Sequence, residues 1–407
     1  MRQSKSLHIL GSICRTLLGL TFIFSGFVKA IDPLGTTYKI EDYLKAFGGV
    51  FVDMLPLAMT AAIVMIVFEF ALGFCLLCNV RTNITSWLSL LFMLVMTPLT
   101  LYIALENPVT DCGCFGDAIK LSNWATFWKN IVLLVLVITL LLTKRYIHQT
   151  FTWWAELAFL LLALATMAGV MGYSLTHLPF IDFRPYKIGN HLPTLMEVPD
   201  DAPHDVYATT FIYEKDGVQQ EFTLENYPKG DSTWTFVDQK SVLVQKGFEP
   251  AVHDFELLNS DFEDMTFDIL ESEAPVTLVV MYDLNKTDRS LLPKVEALYE
   301  QCRANDQPFY ILTGSDEQTV EAFFVGLGDI SPEECVLTCD GVTLKTIVRA
   351  NPGVVVLQNG TVMEKYNLAN YELRINNQEG VCSEGSKYSE YSDYSDNCQI
   401  VNCQIVK

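Results

Sequence analysis

Five long apolar stretches, at roughly 7–28, 55–79, 84–105, 126–143 and 153–175, constrain this 407-residue chain more than anything else in it. Each comes close to the ~20 residues that a helix rising ~1.5 Å per residue needs to cross ~30 Å of hydrocarbon. Lipid offers no water to backbone N–H and C=O groups, so each stretch must form a helix that satisfies its own. The first reads as a retained helix, because "FSGFVKAIDP" follows it without a small-x-small cleavage site. Charge divides the chain after the fifth stretch. Residues 1–175 hold 11 Lys/Arg and 9 Asp/Glu, net +2; the other 16 and 39 give −23, and the two sum to −21. An apolar, near-neutral half thus precedes a soluble, strongly acidic one. Such an acidic surface repels phosphate backbones, which argues against nucleic acid as a partner.

Short flanking charges set the expected orientation. Arg2, Lys5, Arg81, Lys144 and Arg145 lie at one set of ends, read as cytoplasmic together with the N-terminus. The first interhelical loop breaks the pattern with Lys29, Lys39 and Lys45, accompanied by Asp32, Glu41 and Asp42. Five spans then place residues 176–407, and the loop "NPVTDCGCFGDAIK" (107–120), outside and in the same compartment.

In the soluble half, "VYATTFIYEKDGVQQEFTLENYP" alternates polar and apolar residues around Asp216-Gly217, a β-hairpin signal. From Gly247 onward the pattern is strand (275–284), helix, strand, helix, then a hairpin turning at Asn359-Gly360, which predicts a mixed α/β sheet. This region, about 245–372, resembles the thioredoxin-like fold in its TlpA/peroxiredoxin-like branch. The resemblance rests on the leader "GFEPAVHDFELL" and on "ANPGVVVLQNG", which matches the segment where a cis proline precedes a strand. It implies that Pro352 is that cis proline, beside a peptide-binding groove. The family's redox Cys-x-x-Cys belongs at Asp283–Asp288, where this chain has no cysteine. The expectation is a domain without thioredoxin activity of its own, since the chemistry needs a thiolate. Cys335 and Cys339 are candidates for a stabilising bridge. The tail, with repeated Tyr-Ser-(Asp/Glu) units and a duplicated "NCQIV", reads as low-complexity and disordered.

Of eleven cysteines, Cys75 and Cys78 lie three apart in an apolar helix and read as packing residues. Cys112 and Cys114 differ: they sit in a loop with Gly113 and Gly116, in a compartment read as oxidising. A bridge across one residue departs from relaxed geometry and gains little from loop closure, which suits reversible thiol–disulfide exchange better than a structural staple. Unpaired thiols, or bridges to other cysteines, remain open. A metal site lacks further ligands in this loop. Asp111 and Asp117 flank the thiols and would raise their pKa unless Lys120 compensates. Glu69, mid-span, costs ~2.5–3.5 kcal/mol on insertion scales and faces the bundle interior, either as a proton acceptor, a contact for a quinone head, or a helix–helix anchor. Lys29 reads as an interfacial residue that snorkels.

"GLTFIFSGFVKAIDP", "FEFALGF" and above all "DCGCFGD" resemble the DoxX/MauE family of four-helix membrane proteins, in its methylamine-utilisation MauE branch. The resemblance implies a bacterial cytoplasmic-membrane protein taking part in extracytoplasmic thiol–disulfide transfer beside a thioredoxin-like partner. The expected organisation is a four-helix membrane domain (1–145), a fifth helix (150–176), a hairpin-containing connector (177–246), a thioredoxin-like domain lacking Cys-x-x-Cys (247–375) and an acidic tail (376–407). Two functional readings follow. One is a thiol–disulfide oxidoreductase or its accessory subunit, with Cys112 and Cys114 reacting, Glu69, Asp111 and Asp117 in support, and extracytoplasmic protein thiols or a quinone as electron partners. The other is a non-catalytic, membrane-anchored binding module using the groove beside Pro352.

Overall fold

The computed structural model describes residues 2–109, 112–147, 151–204, 206–215, 217–231, 233–245, 247–325 and 330–371. The apolar half forms α1 (Arg2–Ile31), α2 (Pro33–Phe47), α3 (Ala58–Leu77), α4 (Thr82–Glu106), α5 (Asn123–Thr143) and α6 (Trp153–Thr176). Five segments are long and apolar enough to cross a membrane: Lys5–Ile31, Gly49–Leu77, Thr82–Glu106, Asn123–Tyr146 and Trp153–Thr176. They coincide with the five apolar stretches, extended by a few residues at most ends.

α2 is an addition. The sequence there reads as a charged loop, but Asp32 caps a helix by accepting from the Gly35 amide (2.9 Å), and Pro33 opens its first turn. The helix stops where Gly48 and Gly49 take positive φ (63° and 56°), a conformation that costs other residues a Cβ clash.

α1 and α3 pack by close backbone approach. A Cβ on Gly26 would lie 2.8 Å from the Phe70 amide, and one on Gly73 2.5 Å from the Ile23 amide. Small residues at a membrane helix interface allow this contact, where no hydrophobic force draws helices together. Around the contact, Cys14, Leu18, Phe22, Leu72, Leu76, Met93, Leu133, Val137 and Leu140 form a buried core. At the end of the bundle away from the soluble domain, Arg15 donates to the Leu76 and Leu77 carbonyls (2.6 and 3.1 Å) in the last turn of α3, where Leu76 also accepts from the Asn79 amide (3.2 Å). Arg81 pairs there with buried Glu156 at 3.1 Å, tying α6 to the α3–α4 turn.

The acidic half contains two sheets. β1 (Val206–Lys215), β2 (Val218–Thr223) and β3 (Thr235–Gln245) form an antiparallel sheet in the order β2-β1-β3. The expected hairpin therefore carries a third strand; Asp216 of its turn lies outside the described residues, and Gly217 has φ 79°. The second sheet runs β6-β5-β4-β7-β8, built from β4 (Val276–Val280), β5 (Phe309–Thr313), β6 (Val336–Thr338), β7 (Gly353–Gln358) and β8 (Thr361–Asn367). β4, β5 and β6 are parallel, and β7 pairs antiparallel with both of its neighbours, β4 and β8. Every residue of β4 is buried because both faces are covered. Val276, Leu278 and Val280 enter one core, while Val279 and Met281 enter the other. The short α7 (Leu192–Met196) and α8 (Thr266–Leu270) lie with the first core; α9 (Leu292–Ala304), α10 (Glu317–Phe324) and α11 (Pro332–Cys335) lie with the second. α12 (Gly341–Ile347) returns to the first.

Tyr186 and Leu192 are buried in the same core as Phe255 and Val355, and Gly189 and Leu192 donate backbone hydrogen bonds to Val362 and Gly360 (both 2.8 Å). Part of the connector therefore lines the outer edge of the β7–β8 hairpin. Cys335 and Cys339 are buried and free, so the bridge considered between them is not formed. The tail 376–407, with Cys382, Cys398 and Cys403, lies outside the described residues.

Candidate functional site

The loop between α4 and α5 is shaped by local chemistry. α4 ends at Asn107 in the left-handed region (φ 48°), and Asn123, at the start of α5, donates to the Asn107 side chain (2.7 Å) and the Val109 carbonyl (3.0 Å). These contacts close the loop at its base. Gly113 and Gly116 both have positive φ, and the Gly116 amide donates to the Gly113 carbonyl (3.0 Å), so the chain turns within one Cys-Gly-Cys-Phe-Gly unit. Cys112 and Cys114 are free thiols with their sulfurs 2.9 Å apart. Asp111 lies outside the described residues.

Side chains from α1, α2, α3 and α5 surround the thiols. From α1, Ser25 Oγ donates to the Cys114 carbonyl (2.6 Å), and Lys29 Nζ donates to Ser25 Oγ (3.0 Å). Lys29 is 4% exposed and pairs with Glu69 of α3 at 2.6 Å. The snorkelling role expected of Lys29 is thus corrected: a buried carboxylate without a partner is far costlier in hydrocarbon than an ion pair, and Lys29 is that partner. From α2, Tyr43 Oη donates to the Cys112 carbonyl (2.7 Å). From α5, the Lys129 ammonium lies 4.5 Å from the Phe115 ring centroid, a cation–π contact. Ser25, Lys29, Glu69, Cys114, Lys129 and Asn130 line one narrow cavity, with free space of about 20 Å³.

The two thiols are driven apart. A hydrogen bond from Cys112 draws Cys114 down to about 6, and Lys129 and Lys29 add to this against burial and the Glu69 charge. Cys112, hydrogen-bonded to Cys114 and buried beside it, is pushed up. At Cys114 the bond from Cys112 and the facing Lys129 and Lys29 outweigh burial, and the flanking Asp117 is neutralised elsewhere.

That neutralisation comes from the soluble domain. Arg349, two residues before a cis Asn351–Pro352 peptide, is 7% exposed. Its Nε donates to both Asp32 oxygens (3.1 and 2.8 Å), its Nη2 to Asp117 (3.3 Å), and its Nη1 to the Lys345 carbonyl. Burial acts against Arg349, but Asp32 and Asp117 outweigh it and raise its pKa. Burial works to raise Asp32, yet Arg349, Arg184 and the Gly35 amide hold it below the ordinary carboxylate range. Arg184 is held in turn by Asp182, which also takes Lys365 at 2.6 Å. Asp32, Asp117, Asp182, Arg184, Arg349 and Lys365 thus form a charge-balanced network joining bundle, connector and sheet.

At the position Asp283–Asp288 the chain makes a short 3₁₀ turn (Leu284–Lys286), with Asp283 paired to Lys286 at 2.9 Å. Asn351, beside Pro352, donates to the Asp283 carbonyl (2.9 Å) and accepts from Thr287 (3.2 Å). Pro352 therefore sits in the soluble domain beside the thiol-free turn, while Cys112, Cys114, Glu69 and Asp117 converge on the bundle end. Sequence reasoning passed over Ser25, Tyr43, Lys129 and Arg349. Lys129 inside an apolar span was a usable signal; Arg349 carried none. Among the described residues no cluster of three or more metal-ligating side chains occurs.

Residues 7–143 match the family model for methylamine utilisation protein MauE, and residues 207–246 match one described as a domain of unknown function, DUF8463. No curated protein and no solved structure matches the chain. Five spanning helices and the match over their first four make this chain a multi-pass integral membrane protein with a MauE-like membrane domain.

Proposed function

We propose that Cys112 and Cys114 are a thiol–disulfide exchange centre at the extracytoplasmic face of a bacterial cytoplasmic membrane. The carrying observation is the asymmetric pair: two free sulfurs 2.9 Å apart, one facing Lys129 and Lys29. The Cys114 thiolate attacks a sulfur of a protein disulfide, whose S–S bond breaks and whose other sulfur leaves as thiolate. The Cys112 thiol then attacks Cys114 Sγ, gives its proton to the departing client thiolates and forms the Cys112–Cys114 disulfide. Two electrons pass to the client, and the reverse sequence oxidises a client dithiol. Partition of the pair supports these roles, since the low-pKa thiol is both the dominant thiolate and the better leaving group. The soluble domain is read as thioredoxin-like, on its five-stranded sheet and the cis Asn351–Pro352 bond, and as non-catalytic for want of a thiol at Asp283–Asp288. The electron partners in this reading are extracytoplasmic protein thiols or a thioredoxin-like protein, with a quinone, whose head Glu69 could contact, as the alternative acceptor.

The test is mixed-disulfide trapping with protein in liposomes and an unfolded, disulfide-bonded protein as probe. Cys112→Ser should accumulate an adduct through Cys114, whereas Cys114→Ser should not. If no variant forms an adduct, the anchored binding module, favoured by the thiol-free turn beside Pro352, becomes the better reading.

A further inference from the structure

We infer that α2 is a gate over the Cys112–Cys114 loop, held closed by the soluble domain through Arg349. α2 reaches the loop directly: Tyr43 Oη bonds the Cys112 carbonyl at 2.7 Å, and the Lys39 side chain lies against Gly113, where a Cβ would approach Lys39 Cγ to 3.2 Å. Both ends of α2 are joints. It is separated from α1 by the single non-helical residue Asp32, and from the 3₁₀ turn Gly49–Leu57 by Gly48 alone, and at neither Gly48 nor Gly49 would a Cβ meet anything within 4 Å.

The soluble domain grips α2 at its first two turns. Arg349 takes Asp32, the residue that caps α2, and its guanidinium stands 5.3 Å from the Tyr38 ring centroid. Tyr38 Oη meets Tyr282 Oη at 3.3 Å, and the Lys345 ammonium lies 4.8 Å from the Tyr38 ring. The same Arg349 takes Asp117, three residues beyond Cys114, so one side chain pins the gate and the far side of the loop it covers. α2 itself, through Lys39, Asp42 and Lys45, faces Asn107–Val109 across an open cleft of about 550 Å³. A lifted α2 would extend this cleft to the thiols, giving a client segment its approach. The domain that lacks a redox pair thus acts as the dithiol's latch.

This gating rests on the exchange reading for its purpose, but the experiment does not. Full-length protein in liposomes, soluble domain outward and thiols reduced, is treated with a membrane-impermeant maleimide. Modification of Cys112 and Cys114 is followed by mass spectrometry, and amide exchange over 33–47 is followed in parallel. Arg349→Met should raise both by roughly tenfold or more, as expected when a buried charge pair holding a local opening is lost. Tyr282→Phe, which deletes one hydroxyl, should raise both by a smaller factor and carries the test if Arg349→Met impairs folding. Unchanged alkylation in both variants overturns the gate. Faster alkylation with α2 exchange unchanged also overturns it, because access would then be limited elsewhere. Thiols that become accessible yet never exchange with a client disulfide would refute the proposed function and leave the gate standing.

Discussion

The separation of the two thiols makes a quantitative prediction. Cys114 falls from an ordinary value of 9.0 to about 6, and its largest cause is the hydrogen bond from Cys112. At pH 7 the thiolate fraction then rises from about 1% to about 90%, a gain of roughly ninetyfold. Intrinsic nucleophilicity falls with pKa, with a Brønsted coefficient of about 0.4–0.5, which over about three units removes roughly fifteen- to thirtyfold. The net gain as attacking thiol is only about three- to sixfold, so the larger benefit lies in the oxidising direction, where Cys114 is the leaving group when a client's second thiolate attacks the client sulfur of the mixed disulfide. Replacing Cys112 by Ala deletes a charge-assisted hydrogen bond of about 1.5–3 kcal/mol, which should move Cys114 up by about one to two units. The assay is the pH dependence of alkylation of Cys114 by iodoacetamide, with the site identified by mass spectrometry. The gate scales the rate and leaves the midpoint in place. Wild-type protein should titrate near 6 and Cys112→Ala clearly higher. A wild-type midpoint near 9, or a midpoint unmoved by Cys112→Ala, would refute the reasoning.

Other consequences are equally direct. Glu69→Leu leaves the Lys29 ammonium buried and unpaired and should cost about 3–5 kcal/mol, largely recovered by adding Lys29→Met; thermal unfolding in detergent reads both. Gly73→Ala sets a methyl 2.5 Å from the Ile23 amide and 2.8 Å from the Gly19 carbonyl, where neither backbone yields, and should destabilise by about 1–3 kcal/mol or more. Gly169→Ala, with nothing within 4 Å, should be neutral or slightly stabilising in the same measurement. Asp32 is depressed by its partners, so its contribution to docking is present above its ordinary range near 3.8 and lost as pH falls through the depressed value. Amide exchange over 33–47, corrected for intrinsic rates, should therefore accelerate only below about pH 4; acceleration between pH 5 and 7 would count against that linkage.

Most spans and strands are legible from local pattern. Apolar length places the five spans, because a helix in lipid must satisfy itself within one segment. The alternating and continuous apolar runs place β1, β2, β4 and β5, and Asn359-Gly360 turns the β7–β8 hairpin with both residues at positive φ. The Cys-Gly-Cys loop announces itself by composition. α2 escaped although Asp32-Pro33 is a local start signal, because the segment has no long apolar stripe and gains its order from partners on other elements. β3 escaped because "TFVDQKSVLVQ" alternates weakly and gains its order by pairing with β1.

The sequence by itself determined which segments cross the membrane, that the thiols stand one residue apart, and that the soluble half has no cysteine at Asp283–Asp288. Only the tertiary structure decided which charges meet. Lys29 lies 40 residues from Glu69, and Arg349 lies 317 residues from Asp32. Hydrophobic periodicity is a property of neighbours along the chain, whereas an ion-pair partner is selected by burial: once packing removes a charge from water, the cost of leaving it alone brings in whichever opposite charge the fold can supply.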